Sequence, residues 1–257
     1  MPVSSKSVVI APILILALVF CAALGMAAHH EAPSDLSKKI AAAERPAEDV
    51  ARDAGRKPGA VLEFLGVKPG MRTIDLIAAG GYYTEVLSAA VGPDGKVYAQ
   101  NPENVLKYRE GANEKAISKR LAGDRLSNVV RLDREVADMG LEPGSIDFAI
   151  TALNFHDIYN SRGAEAAAGF LASVYAVLAP GGVLGIIDHV GAPGADNETL
   201  HRIDPALVVA VVEASPFVLE AQGDMLKNSA DDHTKGVFTA GLRGHTDRFV
   251  MLLRKPR

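Results

Sequence analysis

The chain has 257 residues, a formal net charge of −4, 48% hydrophobic residues, seven histidines and one cysteine. No basic stripe stands out against this mildly acidic balance, so nucleic-acid binding is not expected. A single cysteine excludes a disulfide framework within the chain, and the length suits one well-buried domain.

Residues 8–28 are almost wholly apolar. Lys6 and the amino terminus precede them, and small residues (Gly25, Ala27, Ala28) lead into polar His29, His30 and Glu31. This is the order of charges, apolar run and cleavage region in a secretory signal. At about 20 residues the apolar run is also long enough to span a bilayer uncleaved. Residues 1–28 are therefore expected to be a signal peptide or an N-terminal membrane anchor. Either way the rest is exported, into the periplasm or onto the inner membrane through residues 8–28. Phe20 stands before Cys21, where a lipoprotein signal requires a small residue, so lipidation is not expected. Residues 29–57 read as a tether and an N-terminal helical segment, and residues 58–257 as the main domain.

Residues 37–54 are rich in Ala, Lys and Glu and predict helix, interrupted near Pro46. Residues 58–66 predict a short helix with Pro58 at its start and Gly66 as its stop. An apolar run at 73–77 has strand length, the small-residue turn Ala78-Ala79-Gly80-Gly81 follows, and residues 82–91 are amphipathic. The turn at 92–95 leads to a second strand at 96–99. Together these open a βαβ unit. A charged amphipathic helix at 103–121, a short β-branched strand at 128–132 and an apolar strand at 145–151 come next. An Ala-rich helix at 164–178 is closed by Pro180-Gly181-Gly182, and a fifth strand at 183–187 follows. This alternation predicts a doubly wound α/β sheet. The end differs. A helix at 205–214 leads to apolar runs at 217–221 and 248–253, joined by a long polar loop without a crossover helix. That suits an antiparallel closing pair.

Several local stretches narrow this further: GGYYTE at 80–85, NFHD at 154–157, PGGVLG at 180–185 with Asp188-His189, HRID at 201–204 and GHTDRF at 244–249. With the order of elements, they make residues 61–253 resemble class I S-adenosylmethionine-dependent methyltransferases. The closest resemblance is to a group of exported, poorly characterised bacterial methyltransferase-like proteins. The resemblance implies a mostly parallel seven-stranded sheet of the Rossmann-like methyltransferase type with an antiparallel C-terminal strand pair. It implies S-adenosylmethionine as cofactor and a small-molecule acceptor. Asp75, Ala79, Gly80 and Gly81 are then expected at the cofactor's methionine portion, Asn101 at the ribose, Asp133 near the adenine and Asn154 at the crevice. The family's alternating glycines fall here on Ile77, Ala79 and Gly81, so one of three is retained. Gly81→Arg is expected to abolish cofactor binding and leave the fold largely intact.

His156 follows the fourth strand, and Asp188 and His189 follow the fifth; adjacent strand ends meet at the crevice. His156 is the first candidate for a base, with Asp188 or His189 orienting it or the substrate. The set His156, Asp188, His189, His201 and Asp204 also permits a metal-site reading, although no HExxH-like spacing supports it and no metal ligand is assigned. Arg45, Asp53, Arg56 and Lys57 read as surface ion pairs, or alternatively as a cover for the pocket. Two other functions stay open: a repurposed ligand-binding protein on the same fold, and a metal-dependent hydrolase or lyase.

Overall fold

The computed structural model describes residues 34–257 together with Met1 and Pro2; the expected export segment, residues 8–28, lies outside the described residues. Among the described residues no helix is long and apolar enough to cross a membrane. Three short helices come first: α1 (Asp35–Ala42), α2 (Ala47–Arg56) and α3 (Pro58–Phe64). Pro46 interrupts α1 from α2, and Pro58 opens α3 at a position whose N–H would have had no helical partner. Lys57, in the left-handed conformation, makes the corner between α2 and α3.

The remainder alternates: β1 (Arg72–Leu76), α4 (Tyr82–Val91), β2 (Lys96–Gln100), α5 (Glu103–Leu121), β3 (Val129–Leu132), β4 (Ile146–Ala152), α6 (Phe155–Val177) and β5 (Leu178–His189). The short α7 (Asn197–Leu200), then α8 (Pro205–Glu213), β6 (Val218–Gly223) and β7 (Arg248–Arg254) complete the chain. Seven strands form one sheet in the order β3-β2-β1-β4-β5-β7-β6. β1 to β5 pair in parallel, and β7 lies antiparallel between β5 and β6. This is the doubly wound, mostly parallel sheet with an antiparallel closing pair that the sequence predicts.

Burial follows strand position. β4 and β7, inside the sheet, are apolar nearly throughout, whereas edge strand β6 alternates in exposure. One face packs under α6 and α8 through Phe155, Phe170, Leu171, Val208 and Val212. The other packs under α1, α3 and α4 through Ile40, Leu62, Leu65, Val86 and Leu87. The strand order reverses between β1 and β4. At such a switch point the loops leave in opposite directions and open a crevice beyond the carboxyl ends of the strands.

Two boundaries differ from the sequence reading. α6 begins at Phe155, well before the Ala-rich stretch, and is broken at Gly163 (φ 79°). β5 begins at Leu178 and runs through Pro180-Gly181-Gly182, because its pairing with β4 shifts register there and the three residues are accommodated as a bulge.

The long loop 224–247 is anchored from within. Arg202 is fully buried, and its two terminal nitrogens each lie 2.9 Å from the Asp231 carboxylate. The same guanidinium donates to the carbonyls of Val190 (2.8 Å) and Lys235 (3.0 Å). Asp231 also accepts the N–H groups of Asp247 (2.7 Å) and His233 (3.2 Å). Removing one member of a buried pair strands the other charge. Arg202→Met is expected to lower stability by about 3–5 kcal/mol in urea unfolding. A loss below about 1 kcal/mol, the range of an exposed pair, would show that this pair does not anchor the loop.

Candidate functional site

Beyond β1 the chain turns through residues 77–81 into α4. Ile77, Ala79 and Gly81 have φ of 53°, 51° and 83°, all in the left-handed region. A side chain at such a position costs about 1–2 kcal/mol, and two of the three carry one. Side-chain amides hold them there. Gln100 Oε1 accepts the Ile77 N–H at 2.9 Å, and Asn101 Oδ1 accepts the Ala79 N–H at 2.7 Å. Asn101 Nδ2 donates back to the Ala79 carbonyl (3.2 Å), and Asn154 Nδ2 donates to the Ile77 carbonyl (3.3 Å).

This turn floors a cleft of about 440 Å³, within the range of about 300–1,000 Å³ usual for small-molecule sites. Asp75, Ala79, Gly80, Gly81 and Asn154 all line it. Asn101 does not, because it is buried and both its amide atoms are spent on Ala79. Asp133 does not either; Arg131 Nε holds its carboxylate at 2.7 Å beyond the end of edge strand β3. The carboxyl of Asp75 is buried, and burial raises its pKa to about 6 although the Thr84 hydroxyl donates to it at 2.7 Å.

Two helices complete the cleft, with residues of which the sequence reading offered only Arg56, as part of a cover for the pocket. From α2 come Glu48, Asp49 and Arg52 with Arg56, and from α5 come Asn113, Ala116 and Arg120. Asp49 is buried between Arg120 (2.7 Å) and Arg52, and Arg120 also holds Glu85 and the Gly80 carbonyl (2.7 Å). Arg45 pairs with Asp53 at 2.7 Å, and Asp53 accepts the Tyr82 hydroxyl at 2.6 Å. Of the cluster read as surface ion pairs, then, Arg45 and Asp53 are tied down beside the cleft and Arg56 lines it. The helical spacing of Asp49, Arg52 and Arg56, one polar stripe just ahead of the first strand, was the available signal. Gly81 also differs from expectation. An added Cβ would lie 2.7 Å from Ile117 Cδ1 and 2.9 Å from Arg120 Cδ. Gly81→Arg would therefore push aside the Ile117 and Arg120 side chains of α5 and strain the turn at a positive φ, as well as fill the cleft.

A second cavity, about 510 Å³, adjoins the first; Arg52, Arg56 and Leu153 line both. His189, Phe238, Thr246 and Arg248 face it, and among the described residues no carboxylate does. Arg56 rests on the Tyr82 ring at 4.4 Å, and burial together with the nearby Arg52 charge lowers its pKa. Arg248 is buried and donates only to backbone carbonyls, to Gly55 at 2.7 Å among them.

Behind this cavity the sheet brings His156, Asp188 and His189 together. Asp188 is fully buried; Oδ1 lies 2.8 Å from His156 Nδ1, and the carboxylate accepts the N–H groups of His156 (2.7 Å) and His189 (2.8 Å). Burial acts to lower the His156 pKa, but the Asp188 and Asp157 carboxylates outweigh it and raise the value to about 10. The two carboxylates thus favour the protonated ring of His156, against the role of free base that the sequence suggests. His189 is the opposite case. Burial pushes its pKa down to about 3, and its Nδ1 lies 2.7 Å from the Thr246 hydroxyl.

No protein-family model matches the sequence, and no curated protein matches it. Solved structures do match the fold. A SAM-dependent methyltransferase from Aquifex aeolicus superposes with a TM-score of 0.59 at 22% identity, covering 86% of this chain and 99% of that one. A putative sarcosine dimethylglycine methyltransferase from Galdieria sulphuraria gives 0.57 at 15% identity, over 81% and 88% of the two chains. The [4+2]-cyclase SpnF gives 0.58 at 15% identity, over 79% and 81%. The chain therefore has the methyltransferase fold. That a cyclase shares it is a reminder that chemistry is set by the site and not by the scaffold.

Two measurements test this geometry. Ala79→Gly removes a side chain from a left-handed position and is expected to raise stability by about 0.5–1 kcal/mol in urea unfolding; destabilisation would mean the turn is not strained. For Asp75, a folded-state pKa raised above the unfolded value costs stability at high pH, and the cost is relieved as pH falls through about 6. Wild type is expected to gain about 2 kcal/mol relative to Asp75→Asn between pH 7.5 and 4.5. A constant difference would show that Asp75 titrates normally.

Proposed function

We propose that this protein is an S-adenosylmethionine-dependent methyltransferase acting on a small-molecule acceptor, exported by its apolar N-terminal segment. The observation that carries the reading is the β1–α4 turn. It keeps the left-handed conformation at the three positions where the resembling family has glycine, although Ile77 and Ala79 oppose it. A strained turn that floors a cleft is more readily explained by a ligand needing that backbone than by packing alone.

Asp75, the backbone of Ala79, Gly80 and Gly81, and Asn154 would hold the cofactor. The cofactor supplies an electrophilic methyl group on a sulfonium. The donor set fits: a buried carboxyl disfavoured as an anion gains from a cationic ligand beside it. The second cavity would hold the acceptor, with Leu153 at the seam between the two volumes. Transfer in line needs mainly positioning, which walls contributed by α2 and by the ends of β4 and β5 can supply. His189 faces the acceptor cavity, and one ring nitrogen is already engaged by Thr246. Its other nitrogen, on a ring that burial keeps neutral, would accept a hydrogen bond from the acceptor and orient it. Asp188 positions both histidines through its three bonds.

A ligand-binding protein on the same fold is the second reading. It is favoured by Asn101, whose amide is committed to the turn where the resemblance implies a ribose contact. Calorimetric titration of S-adenosylmethionine and S-adenosylhomocysteine into the purified protein tests both readings. Micromolar binding is expected. A cation beside Asp75 pulls its pKa down, so at pH 6 binding of S-adenosylmethionine should release up to about half a proton. The release should vanish at pH 8 and in Asp75→Asn, as judged from heats in buffers of different ionisation enthalpy. No binding of either compound rejects the methyltransferase reading. Binding without the proton release removes Asp75 from the site.

A further inference from the structure

We propose that His156, Asp157 and His201 form a binding site for a divalent first-row transition-metal ion such as zinc, beside the second cavity. The site goes beyond the methyl-transfer reading and does not depend on it. His156 and Asp157 lie in the first turn of α6, and His201 lies just past α7, in a left-handed conformation (φ 53°) that turns the chain back toward α6.

Three observations converge. The first is spacing. His156 Nε2 lies 3.2 Å and His201 Nδ1 3.5 Å from Asp157 Oδ1, and the three prospective ligand atoms all lie within 4.8 Å of one another. Zinc bonds to nitrogen and oxygen of about 2.0–2.1 Å at tetrahedral angles put two ligand atoms about 3.3–3.4 Å apart. The two measured separations bracket that value.

The second is support behind the ligands. His156 turns its other nitrogen, Nδ1, to Asp188 Oδ1 at 2.8 Å, and Asp188 is itself fixed by two backbone N–H groups. A buried carboxylate behind a histidine is the arrangement that aims imidazole at a metal and raises its basicity.

The third is charge. Among the described residues neither Asp157 nor Asp188 is paired with a lysine or arginine; their partners are imidazoles and backbone. One carboxylate and two imidazoles, without sulfur, form a donor set suited to zinc and its neighbours.

Three protein ligands leave a tetrahedral ion one open position, as in zinc sites that bind water or a substrate donor atom. The neighbourhood permits such use. The His201 ring packs on Phe238 with centroids 5.0 Å apart, and Phe238 lines the second cavity.

The test uses the full-length protein, stripped with a chelator and titrated with Zn2+ against a chromogenic competitor, and with Co2+ followed by its visible spectrum. One ion per chain is expected, with the intense visible bands of four-coordinate Co2+ and a rise in melting temperature on adding Zn2+. His201→Ala and Asp157→Asn alter side chains that are partly or largely exposed, so folding should survive, as checked by circular dichroism. Each should weaken Zn2+ binding at least about 100-fold. Asp188→Asn, which only loosens the support, should weaken it about 10–100-fold. Failure of the stripped protein to take up either ion overturns the proposal. So does uptake unchanged in His201→Ala and Asp157→Asn, which would place the ion on other residues.

Discussion

The turn after β1 is held in a conformation that two of its own residues disfavour, and much of the crevice depends on how it is held. Ile77 and Ala79 each stand at positive φ, so the turn would relax unless outside bonds fixed it. Those bonds come from the end of β2, through Gln100 and Asn101, and from the end of β4, through Asn154. Side chains elsewhere supply the constraint that glycine would have made unnecessary. The arrangement has a consequence for β2. A residue that clamps the turn with both ends of its amide is not free to grip a ligand, so Asn101 serves the ligand only by shaping the backbone.

Asp188 does for the neighbouring strands what the two amides do for β1. It is fully buried, and its three bonds join the end of β5 to the start of α6. Such a carboxylate tolerates burial because its oxygens are satisfied by hydrogen bonds. It also separates the two histidines electrostatically. His156 bonds it directly and gains a proton, whereas His189 touches it only through the backbone and stays neutral under the weight of burial. Two imidazoles within 6.0 Å, measured between ring centroids, thus differ in charge at one pH.

The fold was legible in the sequence because its signals are periodic and redundant. A near-continuous apolar run marked β4 as buried on both faces, and the missing crossover helix before β7 marked the antiparallel finish. The site was legible where it sits at strand ends, which is why Asp75, Ala79, Gly80, Gly81 and Asn154 line the cleft. It was not legible where it depends on long-range packing. Nothing local to Asn101 or Asp133 reveals that one is committed to Ala79 and the other to Arg131. The contribution of α2 is of the same kind. Its polar stripe of Asp49, Arg52 and Arg56 reads as a solvated face until α5 supplies Arg120 on the far side. The charge state of His156 is likewise a property of three-dimensional neighbours 32 residues apart in sequence.

The two cavities differ in charge balance: Glu48, Asp49 and Asp75 stand against Arg52, Arg56 and Arg120 around the cleft, whereas among the described residues arginines line the second without a carboxylate. The cleft is floored by Asp75 at the end of β1 and walled by the carboxylates of α2 on one side. The second cavity is walled by the basic turn of the same helix and by the loop leading into β7, so Arg56 and Arg248 face it without a carboxylate. Arg120 and Arg52 neutralise Asp49, whereas Arg56 has only the ring of Tyr82 beneath it. Arg56 is half-buried and forms no ion pair among the described residues, and burial with the nearby Arg52 charge lowers its pKa. From the cleft to the second cavity, then, the lining changes from acidic and basic groups in balance to arginines alone among the described charged carboxyl and guanidinium groups. A polar, electron-rich group would therefore gain more from the second cavity than from the cleft, where each arginine already has a carboxyl nearby.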